Sequence, residues 1–380
     1  MVKSILNEAL ARHQEEVKEQ EKAAPPKAAK PSKNADDAEI EKIVESINVS
    51  IKIIGCGGGG SNTIHRCSEA GISGAQTAAV NTDAKHLLAV HAPKKILIGK
   101  RLTKGLGAGA LPEVGEQAAR ENEEEIREFV RGAHVVFITA GMGGGTGTGA
   151  AQYVARISKE EGALVMGVVT MPFKAEGKIR MENALAGLDK LRRFCDTTIV
   201  IYNDKLLELV PRLPINAAFK VADEILMQSI KGMTEIITKP GLVNLDYADL
   251  MTIMKGGGVA MIGIGESDEE RDRIDYAINE ALESPLLGEV DLTHARGVLV
   301  RVVGGLDLTV SEAEKAAEVV GQKVNPQARI IWGCTVEPDL QNTVQVLLVI
   351  TGVKSKSLLG KDVYTGAVKL PGSSDVDEVR

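Results

Sequence analysis

Two glycine runs limit what this chain can fold into more than any other feature. The first, G-C-G-G-G-G-S-N from Gly55 to Asn62, follows the apolar segment VSIKIIG. The second, G-M-G-G-G-T-G-T-G from Gly141 to Gly149, follows HVVFITAG. Ordering glycine costs more backbone entropy than ordering any other residue, so such density marks backbone that turns tightly or lies against a ligand. Each run ends a strand-like segment and opens a helical one, where N–H groups and a helix N-terminus can hold an anion. Gly55, Gly57 and Gly60 satisfy G-x-G-x-x-G, a weak match on its own. Two such loops on one sheet are more specific. In a doubly wound sheet the strand order reverses beside the first strand, and the loops on either side of the reversal meet over one crevice.

The rest of the chain supplies that sheet. GAQTAAVN (74–81), KKILIG (94–99), ALVMGVVTMP and TTIVIYN read as further strands, with PEVGEQAARENEEEIREFVRG and MENALAGLDKLRRF as helices between them. This alternation indicates βαβ units and a mostly parallel sheet. INAAFKVADEILMQSIKGMTEIIT (215–238) is apolar on most sides, as a helix buried between two domains would be. Beyond it come four strands, VAMIGIGE, GVLVRVVGG, ARIIWGCTV and TVQVLLVITG, with two helices on one face. The expected fold is therefore α/β: a doubly wound, mostly parallel-sheet domain over 49–214, a central helix and following loop over 215–254, and a smaller α+β domain with a four-stranded sheet over 255–354. Residues 1–48 read as an extension with a short amphipathic helix (Ile5, Leu6, Ala9, Leu10) and a Pro/Ala/Lys linker, and 355–380 as a polar tail.

Charge and cysteine content remove several function classes. A formal net charge of -7 gives no basic field for nucleic acid or an anionic membrane. Cys56, Cys67, Cys195 and Cys334 show no C-x-x-C spacing and the six histidines form no ligand cluster, which argues against structural zinc or disulfides. No apolar run reaches the ~18 residues of a membrane span and no signal-peptide core is seen, so a reducing cytoplasm is the default. Neither glycine run contains the G-K-[ST] of a P-loop, so phosphate charge would be met by N–H dipoles, Mg²⁺ and Arg180.

GMGGGTGTGA, together with GCGGGGSNT, AVNTD, GLGAGA, MPFKAEGKIR, NDKLLELV, AFKVADEIL and NLDYAD in that order, resembles the tubulin and FtsZ superfamily from about residue 50 to 353. The form is that of FtsZ-type cell-division GTPases, and AFKVADEIL with the N-terminal extension resembles the archaeal branch. The resemblance implies GTP/GDP and Mg²⁺ as ligands. It implies nucleotide contacts from Gly58, Gly59, Gly60, Ser61 and Asn62, from Gly107, Ala108 and Gly109, and from Gly143, Gly144, Gly145, Thr146 and Gly147. Glu176 and Arg180, four apart, would share one face of a helical turn at the ribose, and Asp83 would hold Mg²⁺ through water. Asn203, Phe219 and Asp223 would select guanine, whose ring N–H and exocyclic amine suit a carboxylate's two acceptors, while adenine offers an acceptor there.

The acids implied to activate water, Asp246 and Asp249 with Asn244 to position it, stand beyond the central helix. Asp223 and Thr238 are separated by at least ~22 Å along a helix rising 1.5 Å per residue, so one chain hardly brings both ends to one nucleotide. In the family the loop of one subunit completes the site of the next, giving a head-to-tail homopolymer at a mid-cell ring, recruited by membrane adaptor proteins. Two alternatives stand beside this: a dinucleotide-binding oxidoreductase built on Gly55, Gly57 and Gly60 with the acidic Asp83 after the second strand, and a noncatalytic GTP-binding scaffold.

Overall fold

The computed structural model describes residues 49–355, apart from 210–214, 240–242, 244, 245, 270, 289, 339 and 341. The readings made for the N-terminal extension and the C-terminal tail lie outside the described residues.

Six strands, all parallel, form the first part of the sheet: β1 (Ile51–Cys56), β2 (Ala75–Asn81), β3 (Lys94–Leu97), β4 (Val135–Gly141), β5 (Leu164–Met171) and β6 (Thr197–Tyr202). Their spatial order is β3-β2-β1-β4-β5-β6, so the order reverses beside β1, as expected. In register, Cys56 lies opposite Val80 on one side and Ala140 on the other, which brings both glycine runs to one edge of the sheet. Side chains of β1 and β4 alternate between two cores. Ile54, Cys56, Val136 and Ile138 face the helix Thr146–Glu160, and Ile51, Ile53, Val135 and Phe137 face the layer holding the central helix. With both faces buried, the strands are apolar throughout rather than alternating.

The remaining strands are β7 (Gly258–Ser267), β8 (Val290–Asp291), β9 (Gly297–Gly304), β10 (Arg329–Val336), β11 (Val344–Thr351) and β12 (Lys354–Ser355). The expected four-stranded set is β7, β9, β10 and β11, with helices Arg273–Glu283 and Val310–Lys323 packed on one face. It is not a free-standing sheet. β7 pairs in parallel with β6 through Thr197, Thr198 and Ile199 against Gly258, Val259 and Ala260, so a single ten-stranded sheet runs through both parts. The run Gly256–Gly258 permits this approach: a Cβ on Gly257 would stand 2.5 Å from the Thr197 hydroxyl.

The central helix spans Ile215–Thr238 and buries Ala222, Leu226, Ile230 and Met233 against both portions of the sheet. One expectation is corrected. The segment read as a single helix over 112–132 is two, Pro112–Glu121 and Glu123–Val130. Asn122 breaks it, because its side-chain oxygen accepts the Gly99 N–H at 2.9 Å while its amide nitrogen reaches Glu125.

Candidate nucleotide site

The two glycine runs are locked together before any ligand is considered. A Cβ on Gly57 would lie 2.6 Å from the Gly147 nitrogen, and one on Gly147 would lie 2.6 Å from the Gly141 oxygen. These glycines let two backbones touch. Gly58 and Gly144 differ, since nothing lies within 4 Å of a Cβ built on either; both face open space. That space is a cavity of about 490 Å³ over the carboxyl edge of β1, β2, β4, β5 and β6. Its floor includes the N-terminus of the buried helix Thr146–Glu160, whose first N–H groups have no partner within the helix.

Most of the residues singled out above come to this cavity. Gly58, Gly59 and Asn62 line it from the first run, and Gly144, Gly145, Thr146 and Gly147 from the second. Asp83, Gly107, Ala108, Glu176, Arg180, Asn203, Phe219 and Asp223 complete the predicted set that reaches the wall. Four expected contacts are set back from it. Gly60 packs on backbone, with a Cβ position 2.4 Å from the Thr139 oxygen, and Ser61 is fully buried beneath it. Gly143 donates its N–H to the Thr148 hydroxyl at 2.8 Å and abuts the Arg180 carbonyl. Gly109 has φ of +58°, a conformation that shapes its loop rather than the wall.

The geometry of Glu176 and Arg180 also needs correction. They meet in an ion pair, but not on one continuous helical turn. Glu176 ends a short 3₁₀ turn, Gly177 adopts φ of +96°, and Arg180 lies in the first turn of the helix Lys178–Arg192.

At the β6 end the wall combines an amide, an aromatic ring and a carboxyl group, those of Asn203, Phe219 and Asp223. Asn203 is buried and its side-chain oxygen has no partner among the described residues, an orphaned acceptor of a kind that is costly unless a ligand supplies a donor. Phe219 is 39% exposed and meets Phe173 edge to face at 5.1 Å, leaving it as a platform beside Asp223. Burial pushes the Asp223 carboxyl up to about 6, against the opposing pull of Arg66 and a hydrogen bond from Asn62.

The sign of this shift fixes a pH dependence. In the empty chain, burying the ionised carboxylate costs stability, so its contribution is best below the unfolded value of 3.8 and is lost as pH rises through about 6. A guanine that binds the ionised form reverses the sign for binding. Below pH 6, affinity for guanine nucleotide should fall by about tenfold per pH unit. Isothermal titration with GDP, read as the difference between the wild-type chain and Asp223→Asn, cancels the nucleotide's own titration. A difference that stays flat from pH 5 to 7 would show that Asp223 does not bind as a carboxylate.

The β2 end is different. Asp83 caps the helix Ala84–Ala89, accepting the His86 N–H at 3.0 Å on Oδ1, while Oδ2 has no partner among the described residues. The Thr82 and Thr146 hydroxyls meet at 2.7 Å, joining this loop to the second glycine run. No group of three ligating side chains exists among the described residues. One carboxylate working through water suits Mg²⁺, which keeps most of its waters and takes phosphate oxygens as ligands, so Asp83 fits that ion.

Several wall residues were given no role by sequence reading, among them His86, Met142, Thr170 and Pro172. His86 had a usable signal: it stands three residues after a helix-capping Asp, in the first turn that faces the loop.

The predicted water-activating acids lie elsewhere. Asp246 and Asp249 are exposed at the start of the helix Tyr247–Met254, beyond the far end of the central helix, and neither lines the cavity. They form a reciprocal cap: Asp249 N–H donates to Asp246 Oδ1 at 2.9 Å and Asp246 N–H to Asp249 Oδ2 at 3.4 Å. Asn244 lies outside the described residues.

Comparison with known proteins agrees with this architecture. The model of the Tubulin/FtsZ family GTPase domain matches residues 50–211, and that of the FtsZ family C-terminal domain matches 258–354. A curated relative, Cell division protein FtsZ 1 of Archaeoglobus fulgidus, is 53% identical over 96% of this chain and 96% of its own length. The corresponding protein of Methanocaldococcus jannaschii is 52% identical over 84% of this chain and 88% of its own. Among solved structures, an empty FtsZ dimer from M. jannaschii matches with TM-score 0.81 and 49% identity, covering 90% of this chain and all of that one. CetZ2 of Haloferax volcanii, at 21% identity and TM-score 0.69, shares the fold.

Proposed function

Because the chain belongs to the FtsZ family of cell-division proteins and carries its GTPase domain, we propose that it binds GTP in this cavity and polymerises head to tail. Hydrolysis then occurs where the acids of one subunit meet the nucleotide of the next, in filaments of the mid-cell division ring. The observation that carries this reading is a separation within one chain. The groups suited to hold a guanine nucleotide converge on one cavity, and Asp246 and Asp249 are exposed outside it. The family membership leaves the oxidoreductase alternative without support.

The rim of the cavity supports a partner at this face. Leu106 is 83% exposed, Ile179 75% and Leu111 56%, and all three neighbour wall residues in sequence. Exposed apolar side chains grouped around a binding site mark a surface that another protein covers. A contact between this face and the acid-bearing face of a second copy is heterologous, does not close on itself, and so repeats into a filament.

In the proposed reaction Asn203, Asp223 and Phe219 hold the base, and the N–H groups of both glycine runs hold the phosphates in place of a P-loop lysine. Asp83 would hold Mg²⁺ through water, and that ion supplies neutralisation of phosphate charge when bound. Asp246 and Asp249 of the adjoining subunit polarise the attacking water and Asn244 positions it. Membrane adaptors would engage the segments outside the described core. Deleting residues 1–38, or the last ~20, and following ring placement assigns that role.

The direct test is phosphate release per subunit across a dilution series, paired with sedimentation in GTP, GDP and ATP. Specific activity should rise above a threshold concentration, with pelleting specific to GTP. Specific activity that is flat through dilution would point to a self-sufficient monomer, and GTP binding without turnover to a scaffold.

A further inference from the structure

His86 lines the cavity at its β2 end, and the hydrogen bonds around it settle which ring nitrogen carries the proton. The buried Asn81 accepts the Asp83 backbone N–H on its side-chain oxygen at 3.2 Å. A backbone N–H can only donate, so the Asn81 amide has its oxygen on that side and its NH₂ on the other. That NH₂ lies 3.3 Å from His86 Nδ1. Nδ1 must therefore accept, which leaves the proton of the neutral ring on Nε2. Nε2 has no partner among the described residues.

The strand order says what would meet it. Asn203 stands at the end of β6 and the Asn81–His86 turn at the end of β2, with β5, β4 and β1 between them. Four inter-strand intervals of about 4.8 Å place the two ends roughly 19 Å apart, of the order of an extended nucleoside triphosphate. With the base held at β6 and the chain of phosphates running over the glycine loops, the terminal phosphate arrives at β2. A diphosphate stops one phosphate short. Among the described residues no lysine lines the wall, and Arg180 is engaged by Glu176, so no unpaired cationic side chain of the wall competes with this N–H for a phosphate.

The geometry points to His86 as a donor, through Nε2–H, to the terminal phosphate of the bound nucleotide, a contact that separates triphosphate from diphosphate. This rests on the guanine-nucleotide reading above and adds the residue that senses the third phosphate.

The test is the affinity of the full chain for GTPγS and for GDP, with ATPγS as the base control, in wild type, His86→Ala and His86→Gln. Loss of one charge-assisted hydrogen bond should weaken GTPγS binding to His86→Ala by about ten- to hundredfold, with GDP affinity unchanged. The retained GDP affinity also shows the variant to be folded. His86→Gln, which keeps a side-chain N–H donor, should recover most of the loss. In ¹⁵N spectra the Nε2 resonance of the wild type should shift with GTPγS and not with GDP.

Equal weakening of both nucleotides, in either variant, would mean that His86 only supports the Asp83 turn and would overturn the inference. So would an unchanged GTPγS to GDP ratio in His86→Ala. Both results would leave guanine preference intact. A wild-type chain without preference for GTPγS over ATPγS would instead overturn the placement of the base, and this inference with it.

Discussion

Asp249→Ala should bind GTP and assemble like the wild type, yet release phosphate about 10²- to 10⁴-fold more slowly, the usual contribution of a positioned base. Asp249 is exposed, and among the described residues its carboxylate takes part in one hydrogen bond, from the Asp246 N–H at 3.4 Å. Removing its carboxylate therefore takes little from folding and nothing from the cavity wall. Polymers of the variant should persist, because the event that weakens them is withheld. Light scattering with phosphate release on the same sample measures both. A normal turnover rate in a pure preparation would sink the shared-site mechanism. Asp246→Ala is a less clean probe, since Asp246 caps the helix Tyr247–Met254, and losing a cap costs about 1 kcal/mol.

Glu235→Ala should destabilise the chain by about 3–5 kcal/mol, a large share of the stability of any domain. Glu235 is 0% exposed on the central helix, and Arg301 of β9, 9% exposed, meets it at 3.1 Å. Lys239 lies 2.9 Å from the other carboxylate oxygen, while Glu337 stands 3.8 Å from Lys239 and 3.9 Å from Arg301. Burial lowers the Arg301 pKa, and its Nε lacks an acceptor among the described residues, so removing Glu235 leaves the guanidinium, among those residues, with the more distant Glu337. Urea unfolding followed by circular dichroism reads the loss. Replacing both partners together, Glu235→Leu with Arg301→Met, should cost less than Glu235→Ala alone, since no charge is then left unpaired. A single-variant loss below 1 kcal/mol would mean that water reaches the pair.

Much of the parallel sheet was legible because its strands are apolar runs ended by glycine or polar loops, and that punctuation is local. The central helix, Ile215–Thr238, was read to its ends for the same reason. What escaped was decided by distant partners. Asn122 breaks a helix because Gly99 needs an acceptor, and β7 joins β6 because Thr197 and Gly257 lie face to face, neither of which any window of sequence contains. At the candidate site the loops were foreseen but not the division of labour among glycines. Gly60 and Gly143 hold backbone to backbone while Gly58 and Gly144 face the open cavity, and only packing separates them. His86 was missed because a lone histidine in a helical segment has no pattern; the capping Asp83 gives it one.

The helix Tyr247–Met254, capped by Asp246, ends in a carbonyl that accepts the Thr197 hydroxyl at 2.6 Å, and Thr197 opens the strand after which Asn203 reaches the cavity wall. One side-chain hydrogen bond thus ties the end of the helix that Asp246 caps to the start of the strand that ends beside Asn203. In the filament proposed above, that bond would lie between the contact with a following subunit and the subunit's own cavity.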